Sequence, residues 1–242
     1  VLTGVHIGGW GREHADSLGA LVERLVRDVP HVRFRLTSIE ATEVDDRLAE
    51  MLVGAPGRVA PHLHAPLQSG SDRLLRRMGR HWYTAARYAA AVERLASRAP
   101  VFALAADVIT GFPGERDEDH AGTVALVRAL PFTSLHVFPY SPRPGTAASR
   151  LPDPVPARIA RARASELRDL AAAKAADHRR ARAGGRADVV VLRAGESARG
   201  LTEDYLDVAL GVGAPPRACR YDAVLVTEGD ELRAEAPAPD PS

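Results

Sequence analysis

The segment Val101–Glu115, VFALAADVITGFPGE, carries the clearest structural signal of this 242-residue chain. Its residues from Val101 to Thr110 are mostly apolar and β-branched, and they predict one buried strand. GFPGE then supplies the glycines and proline of a turn, and the residues that follow predict a helix from about Glu118 to Ala129. A buried strand followed by a turn and a helix is the unit from which parallel sheets are built.

The same alternation of strand and helix extends in both directions from this stretch. The other predicted strands are Val1–Ile7, Val32–Ser38, Ala60–Ala65 and Thr133–Phe138. The other predicted helices are Leu18–Val26, Val44–Leu52, Leu74–Met78 and Ala85–Ser97. Because helices of this length separate successive strands, we expect βαβ crossovers and a parallel sheet. The predicted fold class is α/β, either a barrel or a doubly wound sheet.

The pattern changes after the fifth predicted strand. The prolines of Pro142–Pro156 predict a stiff, extended connection, and Ala157–Arg182 reads as a long helix that Gly184 and Gly185 end. A small antiparallel β-barrel is predicted from three short strands with no helix between them: Asp188–Leu192, Leu206–Leu210 and Ala223–Thr227. The predicted units are an α/β domain (1–150), a linker with the long helix (151–183), a β-barrel (184–235) and a disordered tail (236–242).

Composition excludes several classes of protein. Hydrophobic residues make up 45% of the chain and charged residues 26%, as in soluble globular proteins, and no apolar run approaches the ~20 residues that cross a bilayer. The 32 Lys+Arg and 31 Asp+Glu nearly cancel, so a basic surface can arise only where charges segregate. Cys219 is the single cysteine, which excludes an internal disulfide. The chain opens in an apolar run with no signal peptide, and we expect a fragment of a cytoplasmic, monomeric protein.

Each predicted strand of the α/β domain ends in polar or glycine-rich residues. The segments are Thr3–Gly9, Thr37–Glu40, His62–Ser71, Asp107–Glu115 and His136–Ser141. Each alone is explained by turn chemistry. The carboxyl ends of parallel strands meet at one edge of a sheet, however, and ligands bind there. Five such ends together predict a binding site for a polar ligand.

These segments also carry a family resemblance. HLHAPLQSGSDRLLRRMGR, DVITGFPGE and LHVFPYSPRPGTAA, in this order and spacing, closely resemble the radical S-adenosylmethionine methylthiotransferases. The opening LTGVHIGGWG is most similar to the branch that thiomethylates threonylcarbamoyladenosine in tRNA. The two other branches act on isopentenyladenosine in tRNA and on an aspartate of a ribosomal protein, and both stay as alternatives.

The resemblance implies a fold and a reaction. The chain would be a partial radical-SAM (βα)6-type barrel that lacks its first strand, followed by a small RNA-binding barrel of the TRAM type. In the full-length parent, a [4Fe-4S] cluster would cleave S-adenosylmethionine, and the resulting radical would take hydrogen from carbon 2 of the modified adenine in the tRNA anticodon stem-loop. A methylthio group would then be inserted. The cysteines that bind the two clusters of the family are absent here, so we expect the isolated chain to be inactive.

Site residues follow from the resemblance, motif by motif. The S-adenosylmethionine-binding set comes from the ends of the first four predicted strands: Gly4, His6, Ser38, Gln68, Ser69, Asp107, Gly111 and Glu115. The predicted RNA contacts are Arg143, Arg186 and Tyr205, the last in the turn GLTEDY. Packing of a barrel loop is the alternative role of Tyr205, and bracing of the proline turn that of Arg143. No catalytic residue and no metal ligand is assigned.

Two other classes of function compete. His62 and His64 alternate on one predicted strand, and with His136 and Asp107 they form a plausible zinc set for a metal-dependent hydrolase. The second class is a non-catalytic RNA-binding protein that depends on the region after Gly184.

One local departure from the family pattern is Trp82, an extra residue between His81 and Tyr83.

Overall fold

Ala103–Thr110 is the central strand of a parallel sheet in the computed structural model, which describes residues 1–211 and 213–236. The sheet has three strands in the order β1 (His62–His64), β2 (Ala103–Thr110) and β3 (Ser134–Pro139). Ala105 of β2 pairs with His64 on one side and with Ser134 on the other. The α/β class with parallel pairing is confirmed. The predicted disordered tail, beyond residue 236, lies outside the described residues.

The first two predicted strands are extended segments beside this sheet. Their contacts are isolated parallel bridges, Leu2 with Leu36 and Phe34 with Val59. Phe34 and Leu36 are buried, as the alternation in Val32–Ser38 predicts. The prediction of a buried strand over Val1–Ile7 is wrong, since Val1 and Val5 are exposed and a 3-10 turn begins at Ile7. Its apolar residues favour a strand, but among them only Leu2 pairs with a neighbouring segment through its backbone.

Five helices connect and cover these segments. They are α1 (Leu18–Asp28), α2 (Asp46–Gly54), α3 (Asp72–Arg77), α4 (Ala85–Ala96) and α5 (Asp117–Ala129). The first four begin where a side chain caps the helix, at Ser17, Asp45, Ser71 and Thr84. The cap at Asp45 explains why α2 begins two residues after its predicted start. The helices bury Leu48, Tyr88 and Val127 against the sheet.

A sixth helix, α6 (Ala157–Arg182), has the predicted bounds and 26 residues, so it is about 39 Å long. It packs along β3, where Arg168 donates to the Val137 carbonyl at 2.8 Å. Lys174 donates to the Leu130 carbonyl at 2.8 Å, near the other end of the strand. The proline segment before α6 is irregular apart from one 3-10 turn at Ala148–Arg150. None of the described helices is long and apolar enough to cross a membrane.

The remaining described residues form a closed five-stranded β-barrel. Its strands are β4 (Arg186–Arg193), β5 (Arg199–Leu201), β6 (Asp207–Leu210), β7 (Arg220–Glu228) and β8 (Glu231–Glu235). They follow the order β4-β5-β6-β8-β7, and all neighbours are antiparallel except β6 and β8, which are parallel. The sequence predicted a barrel with β4, β6 and β7 but missed β5 and β8.

The β-barrel contacts the amino ends of the parallel segments. Arg33, just before the Phe34–Leu36 segment, pairs with Asp188 of β4 at 3.1 Å. At the end of α6, Arg182 pairs with Glu203 at 2.8 Å and with Asp204 at 3.0 Å. These buried ion pairs place the β-barrel at the amino edge of the sheet, opposite the carboxyl edge where ligand groups were predicted.

Candidate functional site

A cavity of about 610 Å³ lies at the carboxyl edge of the three-stranded sheet. Gln68, Asp107 and Arg143 all line it, and Ile109 and Phe138 add apolar surface between them. The volume falls in the range of small-molecule sites, which combine apolar walls with a few polar groups. We call it the edge cavity. It brings together two of the predicted cofactor ligands and one predicted RNA contact.

The backbone of Gln68 is held tightly against β2. Its N–H donates to the Asp107 carbonyl at 2.8 Å, and its own carbonyl accepts from the Ile109 N–H at 3.0 Å. The φ of Gln68 is +64°, a left-handed value that is uncommon for a residue with a side chain. Such strained residues cluster at ligand sites, where neighbouring hydrogen bonds hold them in place.

Asp107 also joins two histidines in a hydrogen-bonded cluster. Its carboxylate lies 3.1 Å from His64 Nε2 and 3.2 Å from His136 Nδ1. Partial burial opposes ionisation of Asp107, but the two histidines outweigh that effect and lower the pKa of its carboxyl group. The cluster therefore keeps a carboxylate at the wall of the edge cavity.

Three of the four residues of the predicted zinc set thus come together, and the fourth does not. The possible ligand atoms of His64, Asp107 and His136 lie within 4.8 Å of one another. His62 instead stacks on Tyr205 of the β-barrel, with 4.6 Å between ring centroids. Burial and the nearby Arg35 cation lower the pKa of His62 to about 3, so this ring stays neutral.

Two polar residues of the edge cavity are absent from the predicted cofactor and RNA contacts. Tyr140 lines it with a buried hydroxyl group that has no hydrogen-bond partner among the described residues. Arg80 also lines it, and donates to Glu40 at 2.9 Å. The signal for Tyr140 was its position after the last strand, next to Pro139. Arg80 carried no signal, because it lies after α3 and reaches the cavity only through the tertiary fold.

Three predicted cofactor ligands face other parts of the protein. The hydroxyl group of Ser69 lies 3.3 Å from that of Thr123 in α5. Glu115 accepts from the Gly111 N–H at 2.5 Å and from Arg163 of α6 at 2.7 Å, and its side chain is 2% exposed. These contacts fasten the loop after β2 to α5 and α6, and they leave Ser69, Gly111 and Glu115 outside the edge cavity.

The remaining three lie near the start of the chain. Gly4 and His6 line a separate hollow of about 540 Å³ together with Trp10. His6 Nε2 is 2.8 Å from a Glu43 carboxylate oxygen. Ser38 is exposed, with a left-handed φ of +58°. The predicted cofactor set is therefore divided among the edge cavity, this hollow and the contacts under α5 and α6.

The two predicted RNA contacts in the β-barrel have different surroundings. Tyr205 has its ring 4.1 Å from the Arg35 guanidinium as well as against His62, and about half of its surface stays exposed. The turn before it is fixed because Asp204 accepts from His178 at 2.9 Å. Tyr205 therefore packs the β-barrel against the α/β part. Arg186 is exposed at the start of β4.

Comparison with known families identifies the superfamily of the chain. Residues 2–127, more than half of the chain, match the sequence profile of the radical SAM superfamily. The chain belongs to the radical SAM superfamily. The prediction made from the motifs is confirmed, and the edge cavity lies at the carboxyl ends of strands within and next to the matched region.

Within this superfamily the chain is similar to tRNA methylthiotransferases. A threonylcarbamoyladenosine tRNA methylthiotransferase of Thermotoga maritima is 39% identical over 171 residues, which are 71% of this chain and 39% of that protein. The threonylcarbamoyladenosine tRNA methylthiotransferase of Aquifex aeolicus is 34% identical over 208 residues, which are 86% of this chain and 50% of that protein. A tRNA-2-methylthio-N(6)-dimethylallyladenosine synthase of Geobacillus kaustophilus is 38% identical over 172 residues, which are 70% of this chain and 32% of that protein. The chain thus spans a third to a half of these relatives.

The superfamily implies S-adenosylmethionine and an iron–sulfur cluster, and the residues present fit only the first. Fe–S clusters are held by several cysteine thiolates, whereas Cys219 is the only cysteine of the sequence and lies exposed in the β-barrel. The edge cavity, by contrast, offers the Asp107 carboxylate, the Gln68 amide and the unpartnered Tyr140 hydroxyl group beside an apolar wall. These are the groups that bind a ribose and a purine ring.

Proposed function

We propose that this chain is part of a tRNA methylthiotransferase that modifies carbon 2 of N6-threonylcarbamoyladenosine next to the anticodon. The edge cavity carries the proposal, because it unites Gln68, Asp107 and Arg143 at one end of a radical SAM sheet. The chain forms a partial radical-SAM barrel followed by a TRAM-type barrel, with units at 1–150, 151–183 and 184–235. The relatives' action on tRNA supports a cytoplasmic location.

The residues of the edge cavity bind and orient the reactants in this proposal. Asp107, ionised by its two histidine neighbours, accepts hydrogen bonds from ribose hydroxyl groups. Gln68 and Tyr140 offer both donors and acceptors, and Phe138 covers one side of the adenine ring. S-adenosylmethionine, when bound, would supply the reactive adenosyl group, and a cluster that cleaves it would need cysteines other than Cys219. Arg143, at the outer part of the cavity, is placed to meet the RNA backbone.

The hollow of Gly4 and His6 belongs to the same proposal as a second cofactor contact. Exposed backbone groups at Gly4 and an imidazole at His6 suit the amino and carboxylate groups of a methionine moiety. We leave Glu115, Gly111 and Ser69 out of the proposed contacts, since their packing under α5 and α6 explains them. Arg186 is retained as an exposed RNA contact of the β-barrel.

Nucleoside analysis tests this function. The complete reading frame containing this sequence is expressed in a bacterium that lacks its own methylthiotransferases, and the nucleosides of its tRNA are separated by mass spectrometry. We expect 2-methylthio-N6-threonylcarbamoyladenosine from the complete frame and none from the 242-residue chain alone, because this chain has one cysteine.

The outcomes of that experiment separate the alternatives. A methylthiolated isopentenyladenosine in its place would assign the protein to the second tRNA branch. If tRNA stays unmodified while an aspartate of a ribosomal protein gains the methylthio group, the third branch is correct. Absence of all three products from a cluster-loaded complete protein contradicts the proposal.

A further inference from the structure

A second concave surface lies next to the edge cavity. It shares His6 with the hollow at Gly4, and its other walls have no role in the function proposed so far. It has a volume of about 600 Å³, and its walls come from the start of the chain, the segment before α2 and the residues around the start of α4. We call it the Trp82 groove. Arg80 lines both the groove and the edge cavity, so the two share a wall.

Trp82 is the exposed aromatic surface of this groove. Trp82 is 53% exposed, and its indole N–H donates to the Glu40 carboxylate at 2.7 Å. Arg80 donates to the other oxygen of the same carboxylate, and its guanidinium lies 5.6 Å from the indole ring centre. One glutamate thus holds both side chains. The protein fixes a large apolar ring in place and leaves half of it in contact with water.

The charges around Trp82 favour an anionic occupant. Arg12 is paired with Glu43 at 2.7 Å, and Arg80 is paired with Glu40. Arg87, in the first turn of α4, lines the groove and forms no ion pair within residues 1–211 and 213–236. A cation without a partner beside a fixed aromatic ring matches the two parts of a nucleotide, because the phosphate is anionic and the base has a flat π-face.

We propose that the Trp82 groove binds an unpaired base of the RNA substrate, stacked on the Trp82 ring with its phosphate at Arg87. This inference rests on the proposed function. When the target adenine lies beside S-adenosylmethionine at the mouth of the edge cavity, a neighbouring nucleotide of the same strand lies within reach, since Arg80 lines both sites. RNA-binding proteins read single-stranded loops by such stacking of splayed bases on aromatic side chains. Trp82 then positions the RNA and is not itself catalytic.

Tryptophan fluorescence reports on this contact directly. The sequence has two tryptophans, so Trp10→Phe leaves Trp82 as the single tryptophan, which can be excited selectively over the tyrosines. In that background, titration with an anticodon stem-loop RNA hairpin is expected to quench the emission of Trp82 as a base stacks on it. The same titration followed by electrophoretic mobility gives the affinity independently.

Three variants in the same background separate stacking from charge. Trp82→Leu is expected to weaken hairpin binding by about 5- to 150-fold, the usual contribution of one stacked base, and Trp82→Phe should retain most of the affinity. Arg87→Gln is expected to reduce the slope of log affinity against log salt by about one unit. Arg98→Gln is the matched control, because Arg98 follows the opposite end of α4 and pairs with Glu50.

Each outcome decides the inference. Thermal unfolding of Trp82→Leu should match the parent chain, since an exposed ring contributes little to the core. The groove is not a base site if the hairpin binds Trp82→Leu with unchanged affinity and, in the chain that keeps Trp82, leaves the tryptophan emission unchanged. The nucleoside products would still test the proposed function in that case. A peptide or protein that quenches Trp82 where RNA does not would overturn the groove as a base site also. A chain that binds no hairpin at all overturns it too.

Discussion

Replacing Arg163 by alanine is expected to lower the free energy of unfolding by about 3–5 kcal/mol, the usual cost of removing one partner from a buried ion pair. Arg163 donates to Glu115 at 2.7 Å and to Asp117 at 2.6 Å, and the side chains of Arg163 and Glu115 are 8% and 2% exposed. The variant leaves the Glu115 carboxylate buried without its cation. Urea denaturation followed by circular dichroism measures the difference.

Arg161→Ala is the control for that measurement. Arg161 lies on the same helix two residues earlier and is exposed, so its removal should change the free energy of unfolding by less than about 0.5 kcal/mol. Equal stabilities of the Arg163→Ala and Arg161→Ala variants would show that α6 is not fastened to the loop after β2 in the way the structure describes.

The second large effect is expected at Gly111, where the same loop meets α6. The φ of Gly111 is +73°, and a Cβ atom added there would lie 2.3 Å from the Cβ of Ala160. Gly111→Ala therefore combines left-handed strain, about 1–2 kcal/mol, with overpacking of about 1–3 kcal/mol. We expect a loss of about 2–5 kcal/mol in the free energy of unfolding, measured by the same denaturation curves.

Gly145 provides a matched control for the clash. Its φ is +84°, but an added Cβ atom would meet nothing within 4 Å. Gly145→Ala should therefore show the strain alone, about 1–2 kcal/mol. The difference between the two variants isolates the contact between Gly111 and Ala160. A Gly111→Ala protein as stable as Gly145→Ala would contradict the close approach of this loop to α6.

The parts of the fold that could be predicted are those whose signal lies within one segment. β2 is a continuous apolar run, and α6 is bounded by Pro156 and Gly184, so both were found with nearly correct bounds. β5 and β8 were missed for the opposite reason. β8 buries only Leu232 and Ala234, and three-residue β5 has Gly200 at its centre, so neither shows an apolar run. Each is a strand because the β-barrel supplies partners on both sides.

The residues of the candidate site also differ in how far a local sequence signal predicts their position. Gln68 and Asp107 were predictable, because Gln68 follows β1 and Asp107 lies in the second half of β2, and parallel strands end at one edge. Glu115 lies only a few residues beyond Asp107, but Arg163 from a distant helix turns it away from the cavity. His62 shares a strand with His64 and lies about 7 Å along it, where the β-barrel meets it. Contacts between segments far apart in sequence decided both cases.

Saturation-transfer NMR of the 242-residue chain with S-adenosylmethionine tests whether Asp107 and Gln68 form an adenosyl site in the edge cavity. We predict saturation of the adenine and ribose protons, with binding about tenfold weaker in Asp107→Asn, the usual effect of removing a hydrogen bond to a charged group. Asp46→Asn, at a 93% exposed carboxylate, should leave it unchanged. Undiminished saturation transfer in Asp107→Asn would contradict an adenosyl site at Asp107. The same conclusion would follow if the chain showed no transfer and bound stoichiometric zinc through His64, Asp107 and His136.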